Sequence, residues 1–423
     1  MTTNTSAAPA RRRVMQEPGF AAFLFARLAA VFAMQIQAVV VAWQVYDITR
    51  DPLSLAWVGL AQFIPMLLLL LPAGDLVDRY SRKHILLLSW GAQALCSGML
   101  LYLSLGEHDV AYYYVVLALF GCGRAFTGPA LQSLLPQIVP REQLARAIAV
   151  NSMIMKIAVI GGPLIGGVLY AFGGGLAYAV CLGCFVLGMV LLVPVPVLYA
   201  AKILPVTDAA WQRFTAGIRY IRSRPIILGA ISLDLFAVLL GGVVALLPIY
   251  ASEILHVGPE GLGALRSAVA VGALLMGIYL STRALTRHVG LVMFIAVAVF
   301  GVANLVFAFS TVFWVSFAAM LVAGAADMIS VYVRTTLIQL ATPDEMRGRV
   351  NAVNMLFIGS SNELGEFRAG TAAAWLGTVP AAVMGGAATL AVVVGWAWGF
   401  RPLRQVDRFS DVESGPPKSE PEK

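Results

Sequence analysis

Twelve long stretches with few charged residues constrain the fold of this chain more than any other feature of the sequence. A helix needs roughly 20 apolar residues to cross a bilayer. The stretches are continuously apolar rather than alternating, which favours membrane-spanning helices over a membrane β-barrel. We number these predicted spans one to twelve: 20–47, 53–73, 84–105, 111–135, 145–171, 176–199, 226–250, 261–281, 290–309, 312–338, 350–375 and 380–400.

The composition agrees with membrane insertion. Of the 423 residues, 60% are hydrophobic and 12% are charged, and the mean hydropathy is +0.83. Soluble domains carry about 25% charged residues, so a soluble protein of this composition could not cover its core with polar surface. We therefore predict an all-α membrane protein. The N-terminal residues lack an apolar core that ends in a cleavage site, so span one is expected to stay attached.

Lysine and arginine are distributed unequally between the two sets of loops. Most loop cations, including Arg79, Lys83 and the group from Lys202 to Arg224, lie on the side that carries both termini, whereas Arg50 lies on the other side. By the positive-inside rule, both termini are cytoplasmic. The net charge of +7 is thus a consequence of topology. We expect no nucleic-acid partner, because the sequence contains no basic soluble domain to bind one.

An internal repeat divides the chain into two halves. Residues 140–151 (PREQLARAIAVN) and 343–354 (PDEMRGRVNAVN) are identical at six of twelve positions, at an offset of 203 residues. The same offset maps spans one to six onto spans seven to twelve. Parallel repeats of this kind are a transporter architecture, with the substrate site between them near the midplane. The predicted organisation is a cytoplasmic segment 1–19, six-helix halves 20–199 and 226–400, a cytoplasmic linker 200–225 and a disordered cytoplasmic tail 401–423.

The sequence carries no motif that is typical of an enzyme or a metalloprotein. It has no nucleophile elbow, phosphate loop or His-rich motif, and no soluble signalling domain. Cys181 and Cys184 form a C-x-x-C, but without a second pair or a nearby histidine we expect them to pack as apolar residues. A membrane-embedded enzyme or sensor is therefore the remote alternative to a transporter, and we expect neither a cofactor nor a metal.

One charged decapeptide interrupts the apolar stretches. The sequence GDLVDRYSRK, residues 74–83, resembles the G-x-x-x-D-R-x-G-R-R/K signature of the major facilitator superfamily, with Ser81 in place of its second glycine. The matching residues are Gly74, Asp78, Arg79, Arg82 and Lys83. The predicted spans place this motif in the cytoplasmic loop between spans two and three. In the superfamily the aspartate bonds to a neighbouring helix and to basic partners, and it latches the two halves together when the outer side is open.

Two further patterns of the superfamily follow in the expected order. In span four, Phe120, Arg124 and Gly128 fit the l-x-x-x-R-x-x-x-G spacing. An arginine at this depth is costly in a membrane and by default implies a function. In span five, GGPLIGG fits the G-P-x-x-G-G motif of the superfamily's exporters, and the matching residues are Gly162, Pro163, Gly166 and Gly167. These glycines leave one helix face without side chains, so a neighbouring helix can approach closely.

Two longer stretches narrow the resemblance. GRAFTGPALQSLLPQIVP and TPDEMRGRVNAVNMLFIGSSNELGEF look like the branch of transmembrane secretion effectors that contains the enterobactin exporter. The resemblance implies an exporter of a small amphipathic molecule, such as a siderophore or a drug, in the bacterial inner membrane. It also implies that proton entry drives export. We expect the protein to be a monomer. An importer or a lysophospholipid flippase is the alternative, since the same fold permits either function.

Four acidic residues near the middle of predicted spans are candidates for proton coupling: Asp234, Asp327, Glu363 and Glu366. Desolvation disfavours the charged form of an acid in a membrane, so such a group can exchange a proton in the physiological range. Spans one, four, seven and ten line the cavity in the superfamily, which adds Gln35 and Arg124 to the candidates. Asp327 is the repeat-mate of Arg124, so we expect these two charges to face each other near the midplane.

Overall fold

The computed structural model describes residues 14–199, 210–283 and 285–412, and this part of the chain is helical without a β-strand. Spans one to six form the N-terminal half: Phe20–Thr49, Pro52–Arg79, Arg82–Ser104, Val110–Ile138, Leu144–Ala171 and Gly174–Leu192. Spans seven to twelve form the C-terminal half: Pro225–Ile254, Gly258–Thr282, Val289–Phe309, Phe313–Ala341, Asp344–Leu376 and Thr378–Gly399. The prediction of twelve helices in two six-helix halves is confirmed. We call the end where span six leads towards span seven the linker end, and the opposite end the far end.

The described helices fit a membrane in length and in surface chemistry. Eleven of them are long and apolar enough to cross a membrane. Span eleven is long enough with 33 residues, but it carries the charges of Glu363, Glu366 and Arg368. Large apolar side chains such as Leu88 and Trp398 are 74% and 76% exposed, which is favourable only in an apolar environment. The protein is therefore a multi-pass membrane protein.

The internal repeat is visible in how two glycines pack. Gly162 in span five lies against Gln35 in span one, and a Cβ atom placed on Gly162 would be 2.5 Å from the Cβ of Gln35. Gly365 in span eleven lies against Val238 in span seven, with 2.9 Å between such a Cβ and the Val238 carbonyl oxygen. The offset of 203 residues maps Gly162 onto Gly365 and Gln35 onto Val238. The halves therefore repeat their helix packing as well as their sequence pattern.

The two halves meet along two helix pairs. Span two packs along span eleven, and span five packs along span eight. A Cβ atom on Gly370 of span eleven would lie 3.1 Å from the carbonyl oxygen of Pro52 in span two. A Cβ atom on Gly263 of span eight would overlap the carbonyl oxygen of Pro163 in span five. Small residues thus allow backbone-to-backbone contact between the halves.

Span seven is regular only in its first part. Its α-helix Pro225–Gly241 ends at Gly242, and short helical turns follow from Val244 to Ile249. A π-helix, Tyr250–Ile254, completes the span at the far end. Pro248 lies within this irregular part and has no backbone N–H to donate to a regular helix. Because π-helical turns are frequent at functional sites, this end of span seven is a candidate for a functional contact.

The decapeptide motif lies mostly on helices rather than in a loop, which corrects the predicted boundaries. Span two continues to Arg79, span three begins at Arg82, and Tyr80 and Ser81 alone connect them. The φ angle of Ser81 is −62°, an ordinary value that does not require the glycine of the signature. Gly74, Asp78 and Arg79 therefore occupy the last turns of span two, and Arg82 and Lys83 occupy the first turn of span three.

The linker contains a helix that the hydropathy pattern does not reveal. Helix Ala210–Ser223 packs against the start of span eleven, where Gly217 lies against the backbone of Arg349. The Tyr220 hydroxyl donates a hydrogen bond of 2.8 Å to the carbonyl oxygen of Ala341 at the end of span ten. The described part of the linker is thus attached to the C-terminal half.

The prediction of a disordered tail is wrong for residues 401–412. This segment forms the helix Arg401–Arg404 and a 3₁₀ turn, Phe409–Val412. Leu403 is fully buried, and its backbone lies against Gly290 in span nine. The tail is polar overall, but a few of its apolar residues, such as Leu403 and Val406, are buried against the helix bundle. Residues 1–13 and 413–423, which complete the two predicted cytoplasmic segments, lie outside the described residues.

We expect alanine at Gly324 to lower the thermal stability of the purified protein. Gly324 and its repeat-mate Gly121 lie against the carbonyl oxygens of Val269 and Gln62, and a Cβ atom at either glycine would overlap that oxygen. Such overpacking typically costs about 1–3 kcal/mol. Gly183→Ala in span six is the matched control, because no heavy atom lies within 4 Å of its Cβ position. Equal unfolding temperatures for Gly324→Ala and Gly183→Ala in detergent would contradict this packing.

Candidate functional site

A cavity of about 190 Å³ lies between spans one, two and four of the N-terminal half. Its polar lining is supplied by Gln35 and Gln37 of span one, Gln62 of span two and Arg124 of span four. The other lining residues are apolar: Val31, Met34, Ala38, Val41, Leu117 and Phe120. The arginine of span four therefore faces a cavity inside the bundle, where water or a ligand can solvate its charge.

A second cavity, of about 290 Å³, lies between the two halves and is lined by spans one, five, seven and eight. Gln35 lines this cavity as well as the first one. Its charged lining residues are Lys156 of span five and Arg266 of span eight. The two cavities thus meet at Gln35, and Gly162 of the exporter motif packs against this residue.

Four charged residues from both halves form a group that we call the bridging cluster: Arg124, Arg266, Glu363 and Glu366. Arg124 and Glu363 form an ion pair between the halves, with 3.6 Å between Nη1 and Oε1, and their side chains are 35% and 18% exposed. Both glutamate carboxylates lie beside Gly59 of span two, at 3.5 and 3.9 Å from a Cβ atom placed there. Arg266 lies within electrostatic range of both glutamates. The cluster therefore brings two cations and two acids from both halves close together.

A second ion pair, between Asp234 of span seven and Arg334 of span ten, lies within the C-terminal half. Both side chains are almost fully buried, at 7% and 3% exposure. The hydroxyl of Ser330 also donates a hydrogen bond of 3.3 Å to the Asp234 carboxylate. Removal of one partner from such a pair leaves an uncompensated buried charge, which typically costs about 3–5 kcal/mol.

The expected contact between Asp327 and Arg124 does not form. Arg124 pairs with Glu363 instead, and Asp327 lies within electrostatic range of Asp234, Arg334 and Lys156. The offset of the repeat relates residues of similar depth, but it does not determine how each helix is rotated about its axis. Glu363 is the nearer acid because span eleven packs along span two, which also borders the cavity of Arg124.

The exporter motif of span five contacts two different helices. Gly162 lies against Gln35, and a Cβ atom on Gly166 would be 3.0 Å from the carbonyl oxygen of Ile36, so both glycines pack on span one. A Cβ atom on Gly167 would overlap the carbonyl oxygen of Pro259, at the start of span eight in the other half. The motif therefore joins the cavity wall to the interface between the halves.

No hydrogen bond or ion pair joins the decapeptide motif to the C-terminal half within the described part of the chain. Asp78 is exposed, and no described residue forms a hydrogen bond or an ion pair with it. Gly74 has no heavy atom within 4 Å of its Cβ position. Lys83 caps the end of span six by donating hydrogen bonds to the carbonyl oxygens of Val193 and Val195, at 2.7 and 2.8 Å. The latch thus stays a prediction for a state in which the linker ends approach each other.

A polar contact at the far end joins the halves, and sequence reasoning missed it. The Tyr46 hydroxyl of span one donates a short hydrogen bond to the carboxylate of Glu253 in the π-helix of span seven. Arg50 donates a hydrogen bond of 3.0 Å from Nη1 to the hydroxyl of Ser252. We call these four residues the far-end contact. Arg50 was the available signal, because it is a loop cation on the side that otherwise lacks them.

Two six-helix halves, with small-residue contacts between them and paired charges in the cleft, define a secondary transporter of the major facilitator type. The family model described as transmembrane secretion effector matches residues 5–421, and the chain belongs to this family. Its relatives include the enterobactin exporter EntS of Citrobacter koseri, which is 27% identical over 347 residues, with 79% of this chain and 80% of that protein covered. EntS of Shigella dysenteriae is 26% identical over 355 residues, with the same coverage.

Solved transporters share the fold. A bacterial homologue of the human lysosomal transporter Spinster, in an inward-facing and unoccupied conformation, matches with a TM-score of 0.71 at 14% identity, over 94% of this chain and 98% of that chain. A bacterial homologue of the iron transporter ferroportin, also inward-facing, matches with a TM-score of 0.68 at 19% identity, over 91% of this chain and all of that chain. At these identities the similarity concerns the fold alone.

We expect Tyr46→Phe to open the far end more often, because it removes the hydroxyl that binds Glu253. A hydrogen bond to a charged group contributes about 1.5–3 kcal/mol. The bond between Tyr46 and Glu253 is partly exposed and should contribute less, so its loss should raise the ratio of open to closed molecules about fivefold. Spin labels at Phe172→Cys and Phe309→Cys, in a background without native cysteines, report the distance between the halves there. Glu107→Gln, at an exposed far-end acid of one half, is the control. An unchanged distance distribution in Tyr46→Phe would refute a gating role for this contact.

Proposed function

We propose that this protein is a proton-coupled exporter that moves a small amphipathic molecule across the bacterial inner membrane by alternating access. The observation that carries this proposal is the bridging cluster, in which Arg124 of one half pairs with Glu363 of the other beside the cavities. Charges in a membrane interior are rare and by default belong to a substrate or proton pathway. A pair that spans the two moving halves can form in one state and separate in the other.

The distribution of contacts supports a state that is open at the linker end. The far-end contact, the Arg124–Glu363 pair and a hydrogen bond of 2.7 Å from Ser267 to the Ile160 carbonyl oxygen all lie at mid-depth or nearer the far end. Asp78 at the linker end stands free. The linker end carries most loop cations, so the positive-inside rule makes it cytoplasmic. We infer an inward-open conformation, ready to receive substrate from the cytoplasm.

Glu363, Glu366 and Asp327 are the acids that we propose to carry protons. Glu363 and Glu366 lie together beside Gly59, where two ionised carboxylates repel each other and a proton relieves that repulsion. Asp327 has a comparable neighbour in Asp234. For Asp234 itself we propose a structural role, since its buried ion pair with Arg334 already compensates its charge.

Export is the direction that the relatives favour. The enterobactin exporters named above resemble this chain over most of its length, and their printed function makes a siderophore or a related metabolite the first class of substrate to test. An importer or a lysophospholipid flippase would use the same fold. The G-P-x-x-G-G motif and the relatives together favour export over these alternatives.

We expect cells that overproduce this protein and lack other exporters to retain less of at least one amphipathic dye. The panel is ANS, Nile red and ethidium, which differ in charge, together with a catecholate siderophore. The comparison cells carry the double variant Glu363→Gln/Glu366→Gln. A protonophore should abolish the difference in dye retention between the two kinds of cells, because a coupled exporter needs the proton gradient. Greater accumulation in the producing cells would indicate uptake instead.

Substitutions at the four acids should have two different effects, one on transport in proteoliposomes and one on stability. We expect Glu363→Gln, Glu366→Gln and Asp327→Asn to fold normally but to lose transport driven by a pH gradient, while dye exchange without a gradient continues. Asp234→Asn should instead lower the unfolding temperature, because it leaves Arg334 buried without its partner, at a typical cost of about 3–5 kcal/mol.

The gradient-driven rate and the unfolding temperature are measured on the same preparations, with wild type and Glu107→Gln as controls. Glu107 is an exposed acid in the loop between spans three and four, so its neutralisation should change neither quantity. Full gradient-driven transport in all three of the first variants would exclude these carboxylates as the proton carriers.

A further inference from the structure

The cavity between the halves is lined by positively charged residues. Among the described residues that line it, the charged ones are Lys156 and Arg266, and both are cations. Gln35 adds a hydrogen-bonding amide, and the remaining lining residues are apolar: Val159, Pro163, Val244, Leu247, Val269, Ala270 and Ala273. A cavity with two cations and an apolar wall has the chemistry that an amphipathic anion needs.

The two cations are not neutralised by close partners. Within the described ranges neither Lys156 nor Arg266 forms an ion pair. Glu363 and Glu366 lie within electrostatic range of Arg266, and Asp327 lies within electrostatic range of Lys156. The Nε atom of Arg266 is buried and has no hydrogen-bond partner in the described structure. An anionic group in the cavity would be attracted by the positive charges of both Arg266 and Lys156.

The cations lie on opposite sides of the interface. Lys156 belongs to span five of the N-terminal half, and Arg266 belongs to span eight of the C-terminal half. Two like charges that face one cavity repel each other, whereas an anion between them attracts both. Binding of an anion would therefore draw the two halves towards the same ligand.

We propose that Lys156 and Arg266 form the binding site for an anionic group of the transported molecule, such as a carboxylate or a sulfonate. This inference rests on the proposed function and specifies its substrate class as an amphipathic anion. The apolar body of that molecule would extend past Gln35 into the neighbouring cavity, whose apolar lining includes Met34 and Phe120. Arg124 lines that neighbouring cavity, so both cavities offer cations to the substrate.

The sign of the charge agrees with the proposed direction. The membrane potential of a bacterium is negative inside, so outward movement of an anion follows the electrical gradient. Exchange of an anion for an entering proton therefore uses both the potential and the pH gradient. A cationic substrate would have to move against that potential.

The test compares three ligands of nearly the same shape: 2-naphthoate, the neutral 2-naphthamide and the cation of 2-naphthylmethylamine. Binding to the full-length protein in nanodiscs is measured against empty nanodiscs. We expect wild type to bind naphthoate at least about tenfold more tightly than naphthamide, as typical for a charge-assisted hydrogen bond. Lys156→Gln and Arg266→Gln should each remove most of this preference and leave the affinity for naphthamide unchanged, whereas Arg222→Gln, at an exposed cation of the linker helix, should keep it.

Unchanged naphthamide binding shows that a variant still folds its cavity. If both glutamine variants fail to fold, Lys156→Arg and Arg266→Lys replace them, and these should retain a preference for naphthoate over naphthamide. Equal affinity of wild type for all three ligands, or tightest binding of the cation, would overturn the anion site. Selective naphthoate binding without export of any dye would refute the proposed function alone, whereas dye export without a naphthoate preference would refute the anion site alone.

Discussion

The cost of charge in an apolar interior is the constraint on which the rest of this structure depends. Every ionised group at mid-depth needs an opposite charge, a hydrogen bond or water, since its desolvation is expensive. Arg124 meets this requirement with Glu363 of the other half, and Asp234 meets it with Arg334 of its own half. The first pair depends on how the halves are arranged, whereas the second moves with one half. The charge of Arg124 is thus compensated only while the two halves hold it close to Glu363.

Glycine packing brings these charges within reach of one another. Gly59 of span two borders the carboxylates of Glu363 and Glu366, which lie 3.5 and 3.9 Å from a Cβ atom placed there. Gly162 supports Gln35, where the two cavities meet, and Gly167 of the same motif abuts the start of span eight. The exporter motif of span five therefore contacts both the cavity wall and the interface between the halves. A shift of span five against span eight would change both at once.

The two ends of the bundle use different chemistry. At the far end, Tyr46 and Arg50 contact the irregular part of span seven through hydrogen bonds that are partly exposed. At the linker end, Lys83 secures spans three and six within one half, while Asp78 is free to find another partner. Hydrogen bonds between the halves at the far end, and within one half at the linker end, fit a protein whose halves move as rigid bodies.

The sequence by itself determined the number of spans, the two halves and the positions of the motifs, because apolar length, an offset of 203 residues and short glycine patterns are local properties of the chain. It also identified the mid-span charges. Only the tertiary structure decided that Arg124 pairs with Glu363 rather than with Asp327, that Tyr46 meets Glu253, and that Lys156 and Arg266 line one cavity. These choices depend on the rotation and tilt of helices from different halves, which contacts between distant residues determine and no local pattern encodes.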